Sequence, residues 1–157
     1  MVASAPLEEW TIDCTSSSHY RVGVLSELLR AAPEPAVLAW FAQQPPATLF
    51  VYAVTQAEMM LGARLLPAGK RRTALAAALR TTFEEDFAGR ILPFDSAAVP
   101  AFVAIVSTRR AAGRPISQFD AQIAAVARQH AVKLATRNVA DFEGCGVAVV
   151  NPWSRAA

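Results

Sequence analysis

Apolar residues fall along this chain in two alternating patterns, and the alternation predicts the fold. Thr48–Val54 (TLFVYAV) is a nearly unbroken apolar run of β-branched and aromatic residues, as a strand buried on both faces requires. Shorter runs of the same kind occur at Trp10–Cys14, Arg90–Phe94, Val132–Thr136 and Val147–Val150. Between them the apolar positions recur with helical spacing. Tyr20–Arg30 places Val24, Leu25, Leu28 and Leu29 on one face, and Ala36–Gln44 supplies a second short helix that Pro45 and Pro46 stop. A helix follows the Thr48–Val54 strand through Leu66, and Pro67-Ala68-Gly69 is turn chemistry. Arg72–Phe87, rich in Ala and Leu, and Ser117–His130 are further helices. Asp95–Ala112 reads as a helix that Pro100 kinks, ended by Gly113-Arg114-Pro115. Strands alternating with helices predict an α/β fold with a parallel sheet. The 157 residues make one domain, expected over residues 9–153, with tails at 1–8 and 154–157.

Composition narrows the classes. The chain is 54% hydrophobic and 18% charged, enough apolar material for a core and too much for disorder. The net charge of +2 advertises no strongly basic nucleic-acid surface, and Lys70, Arg71 and Arg72 read first as a solvated helix start. Cys14 and Cys145 lack metal-ligand spacing and read as free thiols of a reducing compartment. MVASAPLEEW has neither the basic nor the apolar region of a signal peptide, and no apolar run is long enough to span a membrane. A cytoplasmic protein is expected. No G-x-G-x-x-G, phosphate-loop or G-x-S-x-G pattern supports a small-molecule α/β enzyme.

Three segments carry candidate chemistry: TQAEMMLG (Thr55–Gly62), SQFDAQIAA (Ser117–Ala125) and ATRNVADF (Ala135–Phe142). Each sets an acid three residues after a capping type: Glu58 after Thr55, Asp120 after Ser117, Asp141 after Asn138. Taken singly, each reads as a helix cap, Thr55 and Glu58 forming a capping box. Taken together they read differently. In an open parallel sheet the ligand crevice lies outside the carboxyl ends of the strands. Glu58 follows one predicted strand and Asp141 another, Asp13 ends a third, and Asp120 opens a helix. Acids converging there repel one another unless a cation intervenes or their pKa values rise, and a hard divalent cation suits oxygen ligands.

The residues around these acids resemble the PIN domain, and within it the VapC-type ribonuclease toxins of the FitB-like branch. The resemblance rests on VLSELLR (Val24–Arg30), AVTQAEMMLGARLLPAGKRR (Ala53–Arg72), FAGRILPFD (Phe87–Asp95), GRPISQFDAQIAAVARQH (Gly113–His130), LATRNVADF (Leu134–Phe142) and VAVVNPW (Val147–Trp153), in family order and spacing. It implies a PIN-like five-stranded parallel sheet flanked by helices. It further implies an endoribonuclease dependent on Mg²⁺ or Mn²⁺ that cleaves RNA and is silenced by a VapB-type antitoxin. A homodimer is expected, with operator DNA bound only through the antitoxin.

Residue by residue, Glu58 matches the family's glutamate after the second strand and Asp120 its metal-binding acid. Some relatives carry aspartate where this chain has Asn138. Asp141 substitutes for it, or Asn138 contributes a carbonyl oxygen, while Thr136 positions a water or a phosphate. Arg21 stands where the family's first aspartate belongs, and a cation there opposes metal binding. Asp13, eight residues upstream, can replace it if the following helix starts early, at Ser16–Ser18. A lost ligand with poor cleavage and an altered N-terminal reading frame are the other readings of Arg21. The alternative function is a degenerate PIN-like protein that binds antitoxin without cutting RNA.

Beyond the acids, Arg114 and Arg137 are candidates for RNA phosphate contacts or plain surface charges. His130 suits a helix C-terminus. Met59, Met60, Leu61 and Leu65 read as core or dimer face, and Trp40 and Phe41 as core or part of an antitoxin groove.

Overall fold

The structure is a computed structural model that describes residues 10–12 and 24–154. Its elements, in chain order, are β1 (Trp10–Ile12), α1 (Val24–Leu28), α2 (Pro35–Gln43), β2 (Leu49–Tyr52), α3 (Ala53–Leu65), α4 (Lys70–Thr81), β3 (Ile91–Leu92), α5 (Val99–Ala111), α6 (Gln118–His130), β4 (Lys133–Ala135) and β5 (Val149–Val150). The strands form one parallel sheet in the order β3-β2-β1-β4-β5. The parallel sheet flanked by helices is thus the one the patterning predicts. The order turns at β1, which pairs with β2 on one side and β4 on the other.

Strand side chains alternate between two cores. From β2, Leu49 and Val51 enter a cluster with Val24, Val37, Ala63, Leu79 and Phe83, contributed by the first four helices and the turn after α4. Tyr52 enters the other cluster with Ile105, Ile123, Val126 and Phe142, under α5 and α6. On β4, Leu134 faces the α5–α6 side and Ala135 the opposite side. This two-residue period explains why β2 is apolar throughout: its two faces pack into different cores. Trp40, Phe41 and Met59 pack against the first of these cores, whereas Met60, Leu61 and Leu65 are exposed.

The structure moves several predicted boundaries. β2 ends at Tyr52 and α3 begins at the next residue, Ala53, so Thr55 is a buried residue of the first turn and not a cap. Pro100 sits in the first turn of α5, where its missing N–H costs nothing, so it starts the helix and does not kink it. Asp95 caps a short 3-10 turn before α5 by accepting a hydrogen bond from Ala97 N at 3.1 Å. α4 starts at Lys70 and passes into one wide turn over Thr82–Asp86, where Thr82 Oγ1 donates to Ala78 O at 2.9 Å. Tyr20–Gly23 of the first predicted helix, like Asp13 and Cys14 of the first predicted strand, lies outside the described residues.

Two local arrangements fix the ends of helices. Glu27 is 1% exposed; it accepts hydrogen bonds from the Glu34 N–H at 2.9 Å and from Arg30 at 3.2 Å, tying α1 to the start of α2. At the other end of the fold, α6 closes on Ala131, which adopts φ 53° in the left-handed region, while Val132 N donates back to Ala127 O at 3.0 Å. That motif normally uses glycine, because a Cβ there costs roughly 1 kcal/mol. Ala131 is exposed, so replacing it meets no packing penalty.

Cys145 is a free thiol buried in the α5–α6 core. Burial pushes it above its ordinary value, helped by the negative charge of Asp120 and opposed by Arg109. The folded state therefore favours the neutral thiol. An unfolded chain ionises first, so this stabilisation is complete below the unfolded thiol's pKa and is lost as pH rises through the folded one.

Two outcomes are expected. Ala131→Gly raises stability by up to about 1 kcal/mol in chemical denaturation, relieving the left-handed alanine. In a Cys14→Ser background, Cys145 reacts with a disulfide reagent far more slowly than in the denatured chain. Stability there falls as pH rises above about 8.5, and Cys145→Ala flattens that slope in urea titrations.

Candidate active site

The topology decides which acids can meet. In a parallel sheet, ligand sites form outside the carboxyl ends of the strands where the strand order reverses, here between the paired strands β1 and β4. Asp13 is the residue directly after β1, the central strand, and itself lies outside the described residues. Thr136 is the residue directly after β4; it is 1% exposed and its Oγ1 accepts a hydrogen bond from Asn138 N at 3.1 Å. α3 leaves β2 without a loop, so Glu58 sits in its second turn, just beyond the same edge. α6 runs down to β4 through a short connection, which brings its N-terminus, with Asp120 in the first turn, back up to the carboxyl edge.

α6 is the common neighbour. It packs against α3, which carries Glu58, and against the 3-10 turn Val139–Phe142, which carries Asp141. Phe142 anchors that turn in the core at 1% exposure, so Asp141 is held by a buried neighbour in sequence.

Asp120 is the most defined of the acids. It is 4% exposed. Ser117 caps α6 by accepting from Asp120 N at 3.1 Å, and its hydroxyl donates to Asp120 Oδ2 at 2.7 Å. The serine thus satisfies a helix-end N–H and orients the carboxylate with the same oxygen. The capping expectation for Ser117 holds, but Asp120 is what the cap positions, leaving its other oxygen, Oδ1, shielded from solvent. Both oxygens of Glu58 are shielded as well. A carboxylate removed from water is costly unless cations or donors meet it, and hard oxygen donors of this kind match a hard divalent ion.

The described residues alone do not make a complete cation site. Among them, no group of three His, Cys, Asp or Glu side chains is arranged to hold a metal ion.

The basic candidates separate. Arg114 pairs with Glu143 at 2.8 Å, which engages its charge. Arg137 follows Thr136, is exposed, and holds its guanidinium 5.7 Å from the centre of the Trp153 ring. That contact orients a cation beside the crevice at little cost. His130 ends α6, as expected from the helix dipole. Sequence reasoning missed Arg109, a buried cation in the last turn of α5 that donates to Arg114 O at 2.7 Å and Glu143 O at 2.5 Å. Helical periodicity offers no sign that a last-turn arginine points inward.

Known proteins share this fold. The PIN domain model matches residues 23–143. A VapC ribonuclease from Sinorhizobium fredii is 40% identical over 133 residues, covering 85% of this chain and 95% of the relative. The crystal structure of FitAcB from Neisseria gonorrhoeae superposes with a TM-score of 0.78 at 39% identity, covering 83% of this chain and 94% of that one. A DNA-bound VapBC from Salmonella typhimurium shares the fold at 18% identity, with a TM-score of 0.69 over 92% of this chain and 98% of its own. With a family model spanning residues 23–143, and VapC and FitB relatives about 40% identical that this chain covers over 94–95% of their own length, the chain belongs to the PIN domain family.

Proposed function

We propose that this chain is the toxin of a type II toxin–antitoxin pair, a divalent-metal-dependent endoribonuclease. The observation that carries the reading is the shielding of two acids, Glu58 on α3 and Asp120 in the first turn of α6, two helices that pack together in a PIN fold. The named relatives, a VapC ribonuclease and the FitB toxin, support it.

In this reading Asp120, Asp13 and Glu58 hold Mg²⁺ or Mn²⁺. When bound, such an ion stabilises charge developing on the phosphoryl oxygens. Ser117 keeps Asp120 in one orientation. Asp141 completes the donor set or orients the attacking water. Thr136 and Asn138, linked at 3.1 Å, shape the β4 side of the crevice and offer polar atoms to a water or phosphate. Arg137 meets the RNA backbone, with Trp153 steadying its guanidinium. Arg21 is accommodated if Asp13 supplies the first acid.

The partner is a VapB-type antitoxin, and operator DNA is met through it; the solved relatives include a FitAB complex on DNA. Trp40 and Phe41 are partly buried against the core, which supports a packing role for them. The apolar cleft between α3 and α4, with Met60, Leu79 and Phe83 inside and Arg64, Arg72 and Arg80 around it, suits an apolar segment bearing acidic residues. Exposed Met60, Leu61 and Leu65 on α3 and Val103 on α5 are apolar surface of the kind a homodimer covers. Among the described residues, no helix is long and apolar enough to cross a membrane.

The test is RNA cleavage with and without Mn²⁺. Wild type cleaves only with the ion, and Glu58→Gln and Asp120→Asn each lose at least about a hundredfold in rate while still binding antitoxin. Metal-independent cleavage, or full activity in both variants, removes the acids from the mechanism. Antitoxin binding without any cleavage by wild type supports the degenerate PIN reading.

A further inference from the structure

A cation buried where a leucine would pack more cheaply asks for a reason. Arg109 is 7% exposed and lies two residues before the end of α5. Removing a guanidinium from water costs several kcal/mol unless hydrogen bonds offset it. Here two backbone carbonyls from separate segments do so. Arg109 Nε donates to Arg114 O at 2.7 Å, and its NH1 donates to Glu143 O at 2.5 Å.

The first carbonyl belongs to the connection from α5 to α6. That connection is already a closed helix end: Gly113 takes φ 69°, Gly113 N donates to Arg110 O at 3.0 Å, and Arg114 N donates to Arg109 O at 2.9 Å. Arg109 therefore grips Arg114 by backbone and side chain at once. Three residues on, Ser117 caps α6 and orients Asp120. The second carbonyl belongs to Glu143, the residue directly after the turn that carries Asp141. Arg114 adds its own pair to the Glu143 side chain at 2.8 Å, bridging the same two segments from outside.

We infer that Arg109 is a positioning residue, whose forked guanidinium clamps the Asp120-bearing and Asp141-bearing segments to each other and so sets the spacing of the metal-binding acids. The inference rests on the ribonuclease reading above. Only a planar fork reaches two carbonyls in fixed directions; lysine, a single point donor, holds one at a time. The environment of Cys145 agrees, since its thiol feels both the Arg109 and the Asp120 charges. The clamp is internal, so it acts whether or not RNA is bound.

The experiment compares wild type, Arg109→Met, Arg109→Lys and Arg110→Met. Arg110 is the exposed neighbour on the same helix turn and serves as the control. Readouts are Mn²⁺ affinity by calorimetry, amide hydrogen exchange at residues 114–120 and 138–145, and kcat and KM for RNA. Arg109→Met is expected to weaken Mn²⁺ binding about tenfold, the usual scale for losing a residue that orients a ligand. Exchange should rise in both segments together, and kcat should fall with KM nearly unchanged. Arg109→Lys should fall between, and Arg110→Met should match wild type. If Arg109→Met fails to fold, the lysine variant, which keeps the charge and one donor, carries the comparison. Unchanged Mn²⁺ affinity, or faster exchange confined to residues 114–120, overturns the inference. Wild type that neither binds Mn²⁺ nor cleaves RNA overturns instead the ribonuclease reading on which it stands.

Discussion

The constraint on which this structure depends is the cost of holding carboxylates away from water at one edge of a sheet. The oxygens of Glu58 and Oδ1 of Asp120 are shielded there, on the helices α3 and α6 that pack together. Low exposure removes the water that would otherwise solvate a carboxylate, so such groups need a stiff scaffold, and in the function proposed above a cation offsets their cost. The two-sided core supplies the stiffness: Tyr52 and Leu134, fully buried on the α5–α6 side, lock the strands whose carboxyl ends frame the crevice. The abrupt passage from β2 to α3 leaves Glu58 no loop in which to wander.

Polar groups then set the finer geometry. Ser117 orients Asp120 through one oxygen, and the last-turn arginine of α5 joins the segments on either side. Each of these bonds costs the chain desolvation or conformational freedom that an apolar residue would have spared. Their concentration around the acid-bearing segments, beside a core that is otherwise apolar, marks the region whose geometry matters beyond stability.

The sheet and its helices were legible in the sequence because period two and period 3.6 differ sharply in long apolar runs. The Ser117–His130 helix was legible to within a residue, its start fixed by a serine cap with a physical reason to be there. Boundaries failed where tertiary context outweighs local chemistry. Thr55 looked like a cap, but the helix begins two residues earlier because Ala53 follows the strand directly. Pro100 looked like a kink until the helix proved to start beside it. The individual acids were legible as residues, and the elements that carry Glu58 and Asp120 followed from the alternation of strands and helices. Arg109 was not legible, because inward or outward placement of a last-turn arginine depends on which carbonyls the distant segment at Glu143 presents. The Arg21 departure was visible in the sequence, and its resolution turns on Asp13, next to the central strand.

The measurement that tests the central claim most directly is Mn²⁺ titration calorimetry on wild type, Asp13→Ala and Asp120→Asn. If the acids at the carboxyl edge form one site, wild type binds the ion and both variants lose that binding. If Asp13→Ala and Asp120→Asn bind as wild type does, or wild type binds no ion, the account of a shared acidic site is wrong.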